Sequence, residues 1–254
     1  MSEVSQGEAR GRGSDLATPG TGLIDREPEL IRGAFASIAG RYDLANHFLS
    51  GGADFLWRSR AARMIARKHP RRILDLATGS GDLAIALGRA CPGAEVVGGD
   101  FCLPMLEVAR RKCALPLVCA DALHLPFHGA AFDAVTVAFG LRNMVSWDGA
   151  LREMARVLVP GGTLLVMDFS MPETRLFLPL YRFYLHRILP HLAGFLTGQS
   201  AAYAYLGESI EAFPRGEAML GLLRSCGFGE VARHSLFFGI AAIYTGRRLD
   251  ISAP

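Results

Sequence analysis

The residues best suited to chemistry cluster around one glycine turn. Asp75, Thr78, Gly79, Ser80, Gly81 and Asp82 lie in the stretch Arg72-Ile-Leu-Asp-Leu-Ala-Thr-Gly-Ser-Gly-Asp-Leu-Ala84. Ile73, Leu74, Leu76 and Ala77 predict a short buried strand, Thr78 to Gly81 a tight turn, and Asp82 onward a helix with Leu83, Ala84, Ala86 and Leu87 as its apolar positions. Glycines in such a turn leave backbone N–H groups open to a ligand, because no side chain blocks the approach. Gly79-Ser-Gly81-Asp-Leu-Ala84 also satisfies the dinucleotide fingerprint, which would make the chain a dehydrogenase. The charges argue against that. A dinucleotide lays its pyrophosphate on the helix N-terminus, where Asp82 puts an anion and Asp75 adds a second carboxylate. Two carboxylates suit a positively charged ligand. S-adenosylmethionine carries an ammonium and a sulfonium and no phosphate.

Two further acids extend the pattern. Asp100 ends the apolar run Val96-Val97-Gly98-Gly99, nineteen residues past Gly81. A carboxylate there can accept from both hydroxyls of a ribose. Asp121-Ala122 follows a third apolar run, Leu115 to Cys119, and an acid in that place can accept from an adenine amino group. Asp75, Asp100 and Asp121 thus stand at three successive strand ends, and the signal is their conjunction.

The remaining candidates follow the fourth strand. Phe132 to Phe139 is a buried run, Gly140 lets the chain turn, and Arg142-Asn143 come next. The ligand cleft of a parallel sheet opens at strand C-terminal ends, so this pair projects beside it. Arg142 is permanently charged and would favour an anion next to it. The plain alternative is a salt bridge that holds the loop, to Glu153 or Asp148. His124 is a candidate base, histidine being the side chain type suited to proton transfer near neutral pH; it also reads as an ordinary surface-loop histidine. The seven histidines do not pair with acids or cysteines at ligand spacing, so no metal site is predicted.

The elements that position these residues alternate strand and helix, which predicts a doubly wound parallel sheet. After the glycine turn come the helix to Ala90, the second strand, the helix Pro104 to Lys112 and the third strand. Trp147 to Leu158 is the next helix, Pro160-Gly161-Gly162 a turn, and Thr163 to Asp168 a fifth strand. Glu230 to Leu236 and Ile240 to Gly246 complete the sheet, with the ordered part ending after Tyr244-Thr245. Residues 1 to 28 are rich in Gly, Ser, Thr and charge and are expected to be a disordered tail. Residues 29 to 248 form one domain, with 29 to 70 as a helical lid. Tyr42-Asp43 belongs either to that lid, with Tyr42 over the cofactor, or to a helix surface. Residues 171 to 214 are a helical insertion covering the substrate. Within it, Pro172 to Leu196 is densely apolar, interrupted by Arg175, Arg182 and Arg187, with breaks expected at Pro179 and Pro190. It is either core or a hydrophobic mouth for a greasy substrate resting on a membrane surface.

Composition sets the frame. The chain has 254 residues, half hydrophobic and a fifth charged, which is enough for one sizeable core. A net charge of +3 is too small to imply nucleic acid. Five cysteines without a C-x-x-C pair predict reduced thiols in a cytoplasmic protein. No run of eighteen apolar residues and no apolar signal core is present, which argues against a membrane span and against export.

Four blocks carry a family resemblance: Phe35-Ala-Ser-Ile-Ala-Gly-Arg-Tyr-Asp43, the Ile73 to Asp82 turn, Phe139-Gly-Leu-Arg-Asn143, and Tyr205-Leu-Gly-Glu-Ser-Ile210 with Phe213-Pro214. The chain resembles the demethylmenaquinone and ubiquinone-precursor C-methyltransferases, of the class I S-adenosylmethionine-dependent fold, over about residues 35 to 246. The resemblance implies a Rossmann-like, mostly parallel seven-stranded sheet with helices on both faces. It implies S-adenosyl-L-methionine as cofactor, a prenylated quinol as substrate, and cytoplasmic placement. Peripheral contact with the membrane's inner face and a homodimer stay open. It makes Ser80 a methionine-side contact, Asp100 the ribose ligand, Asp121 and Ala122 the adenine contacts, and Arg142 and Asn143 the substrate-side pair. Two departures stand out. Ala138 replaces the serine or glycine of many relatives, and Asp168-Phe-Ser170 replaces Glu-Phe-Ser. Carbon methylation needs an electron-rich ring carbon, which a deprotonated quinol supplies. Arg142 would favour that anion, and a water held by Arg142 and Asn143, or His124, would take the proton. Another lipophilic aromatic substrate is the alternative.

Overall fold

The computed structural model describes residues 50, 52–172, 174–188 and 200–250. The expected tail, the first part of the expected lid with Tyr42, and Pro190 lie outside them.

Seven strands form one sheet in the order β3-β2-β1-β4-β5-β7-β6. They are β1 (Arg72–Leu76), β2 (Glu95–Asp100), β3 (Leu117–Cys119), β4 (Phe132–Ala138), β5 (Leu158–Phe169), β6 (Phe228–Leu236) and β7 (Ala241–Arg248). β1 pairs in parallel with β2 and β4, and β7 alone runs against both its neighbours, β5 and β6. The strand order reverses between β1 and β4, and a parallel sheet opens its ligand crevice at that switch point.

Alternation along each strand builds two cores. Ile73, Leu165, Met167 and Ile243 face helices α1 (Ala53–Ala66) and α2 (Asp82–Ala90). Leu74, Leu164, Val166 and Tyr244 face the other layer, made by α4 (Trp147–Val157) and α7 (Glu217–Ser225). Helix α3 (Leu103–Lys112) joins β2 to β3. Ser146 caps α4 by accepting the Gly149 N–H at 3.1 Å, and α4 buries Ala150, Leu151, Met154 and Val157 at helical spacing.

Several expectations shift. Pro160-Gly161-Gly162 is not a turn between elements. It is a detour within β5: Leu158 already pairs with Phe132, Thr163 pairs with Ala134, and Gly161 takes φ 72° to absorb the extra residues. β7 continues to Arg248 rather than ending after Thr245, because its polar end still pairs with β5 and β6. The insertion is both core and surface. In α5 (Phe177–Phe183) Pro179 sits in the first turn, where its missing N–H costs no hydrogen bond, so it does not break the helix. A π-helical turn, Tyr184–Ile188, follows and buries Leu185, whereas Leu176, Leu180 and Phe183 are exposed. Helix α6 (Ser200–Ala212) leads back to the sheet. Among the described residues no helix is long and apolar enough to cross a membrane, and no cluster of His, Cys, Asp and Glu forms a metal site.

Candidate functional site

The glycine turn is built by the acids beneath it. After β1 the backbone enters the left-handed region at Ala77 (φ 51°), Gly79 (φ 56°) and Gly81 (φ 87°). For Ala77 that conformation carries strain, of the kind that collects at ligand sites. Asp75 pins the turn. Its Oδ2 accepts from Thr78 Oγ1 and its Oδ1 from Thr136 Oγ1, both at 2.7 Å, which ties β1, the turn and β4 together. Burial pushes the Asp75 carboxyl up to about 6, against the pull of the two hydroxyls and of Arg58. Asp100 pins the other side. Its Oδ2 accepts the Gly79 N–H and its Oδ1 the Cys102 N–H, both at 2.8 Å, and burial raises its carboxyl as well.

Asp82 departs from the sequence argument. Lys112 Nζ donates to Asp82 Oδ1 at 2.9 Å and to Ser80 Oγ at 3.0 Å, so a lysine thirty residues away offsets the charge assigned to the turn. The second oxygen, Oδ2, is buried with no hydrogen-bond partner.

A cleft of about 440 Å³ opens over these groups, a size that suits a small-molecule ligand. Asp75, Gly79, Ser80 and Asp100 line one part; Asp121, Ala122, Phe101, Met105 and Leu123 line another; Phe139, Gly140 and Asn143 close the end toward β4. Of the residues expected at the site, Gly81 shapes the turn without lining the cleft. Asp121 is exposed at the rim, accepts the Leu123 N–H at 2.9 Å, and lies 3.5 Å from His124 Nδ1. The His124 side chain is exposed and does not line the cleft.

Arg142 also stands outside the lining. Its guanidinium is buried: Nη1 donates to Asp168 Oδ1 at 2.6 Å and to the Phe139 carbonyl at 2.7 Å, and it lies 5.5 Å from the centre of the Phe169 ring. The partner is therefore Asp168, not Glu153 or Asp148. Burial raises the Asp168 carboxyl, and Arg142 opposes the rise. Between the two sides, Phe139 takes φ 58° and Gly140 fits so close to the glycine turn that a Cβ on it would lie 2.4 Å from Ala77 Cβ.

Sequence reasoning missed Arg58. It lines the cleft, is buried, pairs with Asp54 one turn earlier, and lies 5.4 Å over the Phe139 ring. The signal was the Asp54/Arg58 spacing of four on α1, hidden among the surface arginines of that helix.

Other proteins resemble this one in fold and in sequence. The fold matches solved structures of S-adenosylmethionine-dependent methyltransferases: a possible histamine N-methyltransferase from Thermotoga maritima (TM-score 0.60, 18% identity, 86% of this chain and 99% of that one) and a phosphoethanolamine N-methyltransferase from Haemonchus contortus in complex with S-adenosyl-L-methionine (TM-score 0.53, 15% identity, 71% and 49%). In sequence the chain is 51% identical to the demethylmenaquinone methyltransferase of Thermus thermophilus, over 84% of this chain and 99% of that protein. It is 42% identical to the ubiquinone/menaquinone biosynthesis C-methyltransferase UbiE of Geobacter sulfurreducens, over 89% and 91%. The profile of the ubiE/COQ5 methyltransferase family matches residues 24–248, so the chain belongs to the ubiE/COQ5 methyltransferase family.

Proposed function

We propose that this methyltransferase takes S-adenosyl-L-methionine as donor and methylates a ring carbon of a prenylated quinol, either the naphthoquinol of menaquinone synthesis or the benzoquinol of ubiquinone synthesis. The observation that carries the reading is the likeness to the Thermus demethylmenaquinone methyltransferase over nearly the whole of that protein, together with the acid-pinned glycine turn at the sheet's switch point.

The residues fit the donor. The glycine turn leaves its backbone bare, and Asp82 Oδ2 is a buried acceptor lacking a donor, as a site for an ammonium requires. When bound, the donor supplies an electrophilic methyl group. Asp100 would receive the ribose hydroxyls, Asp121 and Ala122 the adenine, and Ser80 and Gly79 the methionine side. Phe101, Met105 and Leu123 would exclude water around the purine. On the acceptor side Asn143 lines the cleft and would orient the quinol. Arg142 acts one step back: by holding Asp168 and the Phe139 carbonyl it fixes the strained turn that presents Asn143. His124, at the rim beside Asp121, is the remaining candidate for accepting the proton released from the quinol.

The exposed Leu176, Phe177 and Leu180 of the insertion, with Phe238 stacked on Phe177 at 5.5 Å, support contact with the prenyl tail or with a lipid surface. The direct test incubates the chain with methyl-labelled donor and with demethylated naphthoquinol and benzoquinol, each kept reduced. Label on a ring carbon of either one is the expected result. Donor binding without transfer to either ring would overturn the quinol reading and favour another lipophilic aromatic acceptor.

A further inference from the structure

Besides Asp121 at the adenine rim, four carboxylates line the cleft or stand beside it, and they are not equivalent. Asp75 and Asp100 each spend one acceptor site of both oxygens on the donors that build the turn, and the capacity left on Asp100 is the part proposed for the ribose. Asp54 is committed to Arg58. Asp82 alone combines a place in the cleft lining with an oxygen that has no partner.

The cations are simpler still. Arg58 is the one lysine or arginine among the described residues lining the cleft. Its pairing with Asp54 uses Nη1, and a guanidinium has five N–H donors, so most of the fork is left for a second anion. Asp54, four residues earlier on the same helix, and the Phe139 ring beneath it hold the group in place. Arg58 and Asp82 both line the cleft and both line the groove between α1 and α2, yet they form no ion pair with each other. A buried cation on one helix and, on the other, a carboxylate whose Oδ1 is held by Lys112 while its Oδ2 is buried without a partner line the same cleft and are not joined to each other, an arrangement that matches a ligand bearing both charges.

We propose that Arg58 and Asp82 together seat the amino-acid end of the methyl donor, Arg58 binding its α-carboxylate and Asp82 its α-ammonium. This rests on the donor reading. It assigns specificity for the methionine moiety to a charge pair spanning α1 and α2, with the glycine turn left to hold the backbone of the ligand.

The experiment deletes charges on both sides. Calorimetry measures binding of S-adenosylmethionine, of decarboxylated S-adenosylmethionine, which keeps the ammonium, and of methylthioadenosine, which has neither group. Arg58→Met should weaken S-adenosylmethionine by about 10- to 100-fold, the effect of one lost charge-assisted hydrogen bond, and leave decarboxylated S-adenosylmethionine within about twofold. Asp82→Asn should weaken both of those ligands and spare methylthioadenosine. Because Arg58→Met strands the Asp54 carboxylate, the double variant Asp54→Asn/Arg58→Met is measured beside it, with the thermal midpoint of each. Equal losses on all three ligands, or no loss on any, would overturn the assignment and leave Arg58 as a packing group for Phe139. A wild-type chain that binds none of the three overturns the donor reading itself.

Discussion

The two sides of the cleft treat a buried carboxylate in opposite ways. On the donor side, Asp75 and Asp100 are satisfied by neutral groups, two hydroxyls and two backbone N–H groups. On the acceptor side, Asp168 is satisfied by the Arg142 guanidinium. Neutral donors leave the net negative charge in place, so the side proposed for the donor suits a cationic ligand. A guanidinium cancels it, so the acceptor side is left nearly uncharged and suits an aromatic ring with a hydrocarbon tail. The same residue type at two strand ends thus sets two different fields, and the partner decides which.

The sharpest way to break this comparison is to remove Arg142. Arg142→Ala should cost about 3–5 kcal/mol in urea unfolding, because it strands the Asp168 charge in the interior. Arg142→Met with Asp168→Asn should recover most of that loss. Turnover lost at unchanged stability would mean that the guanidinium serves the substrate directly.

Next comes Asp75. Its folded carboxyl titrates at about 6, above its ordinary value, so the wild type loses stability as pH rises from about 4 to about 6 and no more beyond. Relative to wild type, Asp75→Asn should therefore gain up to roughly 3 kcal/mol across that window, read from unfolding at each pH. A pH-independent difference would show that the hydroxyls offset the burial cost completely.

Asp100→Ala should weaken donor binding by about 1–3 kcal/mol in calorimetry, since it removes both the proposed ribose acceptor and the anchor of the Gly79 N–H. Unchanged affinity would take Asp100 out of the donor side. The smallest change in stability is expected on the insertion. Phe177→Ser and Leu180→Ser should shift stability by no more than about 0.5 kcal/mol, because both side chains are exposed. They should slow a long-tailed quinol more than a short-tailed one, whereas equal slowing would detach the insertion from the tail.

How much of this was legible follows the same division. The donor side was readable because its acids stand at or next to strand ends within fifty residues of one another, each beside a short apolar run. The acceptor side was less so. Arg142 was found, but its partner lies at the end of β5, and nothing local in the sequence distinguishes Asp168 from Glu153 or Asp148. Lys112 neutralises part of Asp82 for the same reason: helix periodicity does not reveal where the end of a long side chain lands. The detour in β5 was misread because Pro-Gly-Gly is turn chemistry, and only pairing with β4 on both sides of it makes one strand of the whole.

The contact of Gly140 with Ala77 has a mechanical consequence. Ala77 fills the space that a Gly140 side chain would need, so the turn after β1 and the turn after β4 have no slack between them. Any displacement of one is handed to the other, as between meshed gears. A shift of the first turn is therefore carried to the loop that bears Asn143. Two loops far apart in the sequence thus answer to one movement, across a clearance smaller than one methyl group.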